Sequence, residues 1–166
     1  IEITTHESAI RIISKVGDLN NPADRDHCLQ YMVAIGLLKG SLVAEDYEDE
    51  VAKDPKIDEL REKMIIKEDK RYSKEYLEAD KRSISNRIQI HFNDGTSTDE
   101  VEVEYPIGHK RRRKEGIPIL EKKFKDNLAI TYSNEVSEKI FELCMNQTEL
   151  EKTSVIDFQS LFAKIP

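Results

Sequence analysis

Ile84–Tyr105 reads ISNRIQIHFNDGTSTDEVEVEY, and this stretch decides the fold class. Two alternating runs, Ile84–Phe92 and Glu100–Tyr105, flank Asn93-Asp94-Gly95-Thr96, a sequence that favours a tight hairpin turn. If Asp94-Gly95 forms the turn, Ile88 opposes Val101, Ile84 opposes Tyr105, and Arg87 meets Glu102 on the other face. The apolar set then lies on one side, and a one-residue slip would turn all of it outward. His91 alternates onto the polar side and is expected to be solvated.

Upstream, Ile1–Thr5 alternates as a short strand and runs into His6-Glu7-Ser8, where Ile10, Ile12 and Ile13 suggest a brief helix. A loop from Gly17 to Ala23 leads into a helix predicted from about Arg25 to Leu38. Asn21 or Asp24 caps it, Pro22 suits its entry, and Gly40 stands where a helix stops. Its apolar residues occupy more than one face, as in a helix buried against two neighbours. Two acidic helices are predicted around 44–50 and 55–64, then a strand near 64–67 and a polar surface excursion over 69–82 with one helical turn near Tyr76. Beyond Pro106 a basic loop, His109–Lys114, ends at Gly116 and Pro118. Three helices follow, with stripes Leu120/Phe124/Leu128, Val136/Ile140/Cys144 and Val155/Phe158/Phe162, the last opened by a capping pair, Ser154 and Asp157. The expected class is α+β: a small antiparallel sheet with helices on one face, then a C-terminal helical segment.

Composition narrows the function. The chain has 166 residues and a net charge of −7, which disfavours phosphate-backbone binding and so nucleic acid. Its two cysteines, Cys28 and Cys144, fall short of the three or four thiolates of an iron–sulfur cluster, and its four histidines show no metal-ligand spacing. No metal or other cofactor is expected. Neither is a disulfide framework, so a reducing cytoplasm fits. No apolar run is long enough to span a membrane.

The chemistry-bearing stretch is Asn20–Ala34, NNPADRDHCLQYMVA. On one continuous helix, Asp24, His27 and Tyr31 would share a face, placing a carboxylate, an imidazole and a phenol together. The same spacing equally serves a capped helix whose His27 and Tyr31 satisfy one another near a core, and spacing alone does not choose.

Together with THESAIRII (Thr5–Ile13) and EYPIGHKRRRKEGIP (Glu104–Pro118), this stretch resembles the 2-methylcitrate dehydratases, within the wider family that also holds cis-aconitate decarboxylase. The resemblance covers nearly the whole chain. It implies a cytoplasmic, iron–sulfur-independent hydro-lyase of propionate catabolism, acting on a small tricarboxylate and working as a homodimer. It further implies that this is the C-terminal part of a longer enzyme whose N-terminal helical domain carries much of the machinery. Residues 1–106 would then be a lid-like α+β domain. Residues 107–166 would be a basic loop and helices that return to the helical domain.

Such a dehydration needs a base, an acid for the departing hydroxyl, and donors that hold the carboxylates. The resemblance puts Tyr31 first and His27 second as catalytic residues. Asp24 and Arg25 are substrate-holding candidates, Arg25 as a bidentate carboxylate clamp. Arg111 and Arg112 are candidates for attracting a trianion, while Gly108 and His109 read as structural. His6 either pins its loop or touches substrate. The competing expectations are a sibling chemistry, cis-aconitate decarboxylation or aconitate hydration, and a non-catalytic dimerisation domain.

Overall fold

The structure is a computed structural model that describes residues 1–163. The chain divides into two compact units, Ile1–Pro106 and a second from Ile107 onward. Among the described residues, the first unit holds strands β1 (Glu2–Thr5), β2 (Ile65–Glu68), β3 (Asn86–Gln89) and β4 (Val101–Val103). Its helices are α1 (Glu7–Ile13), α2 (Pro22–Arg25), α3 (Leu29–Lys39), α4 (Asp49–Ala52), α5 (Pro55–Glu62) and α6 (Lys70–Leu77), with a 3₁₀ turn at Ala44–Tyr47. The α+β class holds.

The sheet order is β2-β1-β3-β4. Its hairpin pairs Asn86 with Val103, Arg87 with Glu102 and Ile88 with Val101, the register read from the alternation. The turn itself is one residue longer than expected. Phe92 N donates to Thr96 O at 2.8 Å and Gly95 N to Phe92 O at 3.1 Å, enclosing Asn93, Asp94 and Gly95. Gly95 takes φ +86°, the left-handed position that ends a three-residue loop. Pairing at the tip is therefore shifted by one, with His91 opposite Ser97 and Thr98 N bonded to Ile90 O, before the register of β3 and β4. An extra residue in the Asp99–Glu100 stretch absorbs that shift, as a bulge does.

The sheet is mixed rather than wholly antiparallel, because β1 pairs β2 in parallel. A parallel neighbour requires a crossover, and the helical stretch between Glu7 and Glu62 supplies it. Helices also reach both faces, not one. Ile3, Ile88 and Val101 look toward α1 and α3, whereas Arg71 Nη2 of α6 donates to Glu102 Oε1 at 2.9 Å on the polar side. Residues 69–82 are thus more than a surface excursion. Asp69 caps α6 through Arg71 N at 2.8 Å, Tyr72 and Glu75 are buried, and so are Ser83 and Ser85 in the following segment. Burial, with the adjacent Glu102 carboxylate, pushes the Tyr72 phenol up to about 12.

The core of this unit is Cys28, Tyr31, Ala34, Ile35 and Ile57, where α3 packs on α5. Leu29 and Val33, on another side of α3, face the sheet, so its two apolar faces meet two neighbours as expected. Gly40 ends α3 at φ +73°.

The second unit holds α7 (Arg113–Thr131), α8 (Asn134–Met145), α9 (Gln147–Lys152) and α10 (Val155–Phe162), with a 3₁₀ turn at Lys110–Arg112. The expected basic loop is therefore largely helical. Gly116 and Pro118 lie inside α7, and Pro118 forfeits a backbone bond there. α9 is an additional helix, capped by Asn146 through Glu149 N at 3.2 Å. Ser154 does cap α10, accepting from Asp157 N at 3.1 Å and donating to Asp157 Oδ2 at 2.6 Å.

Candidate functional site

The helix expected over residues 25–38 is broken, and the break rearranges the site. Asn21 Oδ1 accepts from Asp24 N at 2.9 Å and starts α2, which ends after one turn. Cys28 then adopts extended backbone, fully buried, and begins α3. On an unbroken helix, burying Tyr31 would drag His27 toward the core one turn earlier. The break instead buries a thiol and releases the imidazole.

Asp24, His27 and Tyr31 consequently do not share a face. The His27 side chain is 62% exposed and pairs with the Asp26 carboxylate. Tyr31 is 2% exposed, and its hydroxyl donates to the Asp46 carbonyl at 2.7 Å. Its ring stacks on Tyr47 with centroids 6.1 Å apart, and burial raises its pKa above the ordinary phenol value. None of the hollows described below is lined by Tyr31 or His27.

Asp24 closes its own loop. Asn20 N and Asn21 Nδ2 donate to Oδ2 at 3.2 and 3.0 Å, and Lys15 Nζ stands 3.6 Å from Oδ1. Arg25 is not an open carboxylate clamp. Its side chain is 6% exposed, and Nη1 donates to Tyr47 O and Asp49 Oδ1, both at 2.7 Å. It ties α2 to the segment entering α4. Arg111 and Arg112 sit in the short turn capped by His109, whose Nδ1 accepts from Arg111 N at 3.2 Å. Arg112 Nη2 donates to Glu115 Oε2 at 2.7 Å, which raises the guanidinium pKa and lowers that of the carboxyl.

Asp46, missed in the sequence, organises the segment around Tyr31. Burial alone would raise its pKa, but Lys39 Nζ at 2.5 Å and Val43 N at 2.8 Å hold it below the usual carboxylate range. A carboxyl depressed in the folded state stabilises the fold above its unfolded value of about 3.9, and that stability is lost as pH falls through the folded value. Asp46→Asn is expected to flatten the acid limb of stability, read as the urea midpoint between pH 6 and 3. An unchanged limb would assign acid sensitivity elsewhere.

Three hollows stand out among the described residues of the first unit. A groove of about 470 Å³ runs between the sheet, α1 and α3, walled by Ile3, Ile12, Leu29, Val33, Ile88 and Val101. His6 closes one end, buried and stacked on Tyr76 with centroids 4.3 Å apart. Its Nδ1 accepts from Ala9 N at 3.2 Å, capping α1, and burial lowers its pKa. His6 thus does pin its loop. A second hollow, about 300 Å³, is polar and holds Lys15, Asp18, Gln30, Asp58, Arg61 and Glu62. The third, about 350 Å³, lies between α3 and α5 beside Ile35, Leu38 and Ile57. The second and third offer cations, Lys15 and Arg61 in one and Lys39 and Lys56 in the other, and in each two or more carboxylates stand among them.

The MmgE/PrpD C-terminal domain model matches residues 1–147. The chain is 52% identical over 162 residues to 2-methylcitrate dehydratase of Escherichia coli K12, covering 98% of this chain and 34% of the relative. It is 49% identical over 163 residues to the 2-methylcitrate dehydratase of Cupriavidus necator, covering 98% and 34%. It is 51% identical over 164 residues to the mitochondrial 2-methylcitrate dehydratase of Yarrowia lipolytica, covering 99% and 31%. The chain spans about a third of the length of the curated relatives it matches. With a mixed sheet, a helical crossover and this extent of identity, the chain belongs to the MmgE/PrpD C-terminal domain family.

Proposed function

We propose that this chain is the C-terminal third of a hydro-lyase that removes water from 2-methylcitrate to give 2-methyl-cis-aconitate. The observation that carries the reading is identity near one half, across almost the entire chain, to 2-methylcitrate dehydratases of bacteria and yeast. The geometry agrees with a shared site, because the cations lining the second and third hollows of the first unit are interleaved with carboxylates. The remaining two thirds of such a protein would complete it.

Within that reading the six candidate residues take different parts. His27 is the group suited to moving a proton, its imidazole being exposed and paired with the Asp26 carboxylate. Tyr31 anchors α3 in the core, its hydroxyl engaged by the Asp46 carbonyl. Asp24 and Arg25 hold the loop that presents His27. Arg111 and Arg112 raise the local concentration of a multiply charged acid. A homodimer is consistent with the exposed Ile117, Leu120, Ile130 and Ile156 of the second unit, and a reducing cytoplasm suits two free thiols. Among the described residues no helix is long and apolar enough to cross a membrane.

The test compares the chain of 166 residues with the full-length protein, following loss of water from 2-methylcitrate by product mass. Activity is expected only in the full-length protein, and His27→Ala is expected to reduce its kcat by about 10²-fold or more. A fully active short chain would overturn the divided site. Release of carbon dioxide instead of water would favour the decarboxylase reading.

A further inference from the structure

The groove between the sheet, α1 and α3 is built for hydrocarbon and is open. Ile3, Ile88 and Val101 stand in register across β1, β3 and β4 and form its floor. Ile12 is 59% exposed, and Val101, where the floor meets the rim at edge strand β4, is 56% exposed. β4 is an edge strand of only three residues, so the floor continues outward with no neighbour of its own. An exposed apolar concavity of this kind marks a contact surface.

The polar groups around it do not point to a charged ligand. Arg87 is held toward the opposite face, 3.4 Å from Thr4 Oγ1 and 3.6 Å from the Glu100 carboxylate. His6 has already committed Nδ1 to Ala9 N and is held toward its neutral form by burial. A carboxylate entering here would lose its hydration, and Arg87, the cation among the lining residues, is already engaged with Glu100.

We infer that this groove is the seat for an apolar segment of the polypeptide that precedes this region in the full-length protein. The inference rests on the reading that the chain is one third of a longer enzyme, and it names the surface by which the two parts join. The matched relatives devote about two thirds of their length to sequence this chain does not span. That sequence travels at high effective concentration beside the groove, because it is tethered to β1, the strand carrying Ile3 of the floor. A shallow contact can then be held closed that would be too weak between separate molecules.

The experiment is amide hydrogen exchange on this chain and on the full-length protein, with dehydratase activity measured separately. Amides of residues 9–13 and 101–103 are expected to exchange at least about tenfold more slowly in the full-length protein. In full-length Val101→Asp that added protection should disappear, whereas Leu77→Asp, exposed on α6 outside the groove, should keep it. Because Val101 lies on the rim, circular dichroism of the Val101→Asp chain should remain that of the folded protein. Equal exchange in both wild-type proteins overturns the inference. So does protection that grows with concentration of the short chain alone, which would make a second copy the occupant. An active full-length enzyme with an unprotected groove sinks only the docking surface. A protected groove in a protein that does not dehydrate 2-methylcitrate sinks only the activity.

Discussion

Tyr31→Ala is expected to cost about 3–5 kcal/mol, as for other large aromatic-to-alanine changes in cores. Against a total stability of about 5–15 kcal/mol for a domain, that would leave the first unit marginal or unfolded. The residue is 2% exposed and sits among Cys28, Ala34, Ile35 and Ile57, so the deletion opens a cavity where α3 meets α5. Tyr31→Phe keeps the ring and removes only the donor to the Asp46 carbonyl, with an expected loss of about 1–3 kcal/mol. Urea titration of the two variants measures both. The pair also separates architecture from chemistry in the full-length protein. If the phenol is structural, Tyr31→Phe retains kcat in proportion to its folded fraction. A kcat loss of 10²-fold or more with unchanged stability would restore Tyr31 as a proton donor.

The second large effect is expected at Gly116. A Cβ there would stand 2.4 Å from the Ile107 carbonyl oxygen, a backbone atom that no rotamer change can move. Gly116→Ala must displace the segment entering α7, with an expected loss of about 1–3 kcal/mol despite alanine's better helix propensity. Intrinsic propensity alone predicts a gain of about 1 kcal/mol, so the sign of the change decides between local preference and close packing. Thermal unfolding of the variant gives that sign. Gly36, also within a helix, has open space around it and is the natural control: Gly36→Ala is expected to stabilise.

Gly116 and the break at residues 26–28 show why part of this molecule could not be read along the chain. Helix caps and turn chemistry are local, and Asn21 and Ser154 each act within three residues of themselves. Their readings needed no partner. The break ahead of α3 is different. Periodicity ran unbroken through Arg25, His27 and Tyr31, but burying Cys28 while exposing His27 requires a kinked backbone, and that balance involves groups on distant segments. Cys28 Sγ lies 3.7 Å from Lys15 O, and Arg25 reaches Tyr47 and Asp49. Asp46 could have been suspected only from its place three residues after Val43, a spacing too common to single it out.

What the amino-acid order determined by itself was the pairing of β3 with β4, the capped helices and membership of a family. Each rests on interactions spanning a few residues or on extended identity. Only the tertiary structure decided that β1 takes β2 as a parallel neighbour, that Tyr31 and Arg25 are buried in hydrogen bonds to Asp46, Tyr47 and Asp49, and that an apolar groove lies open between the sheet, α1 and α3. Those outcomes follow from which distant groups exclude water from one another, and burial of that kind is a property of the assembled chain.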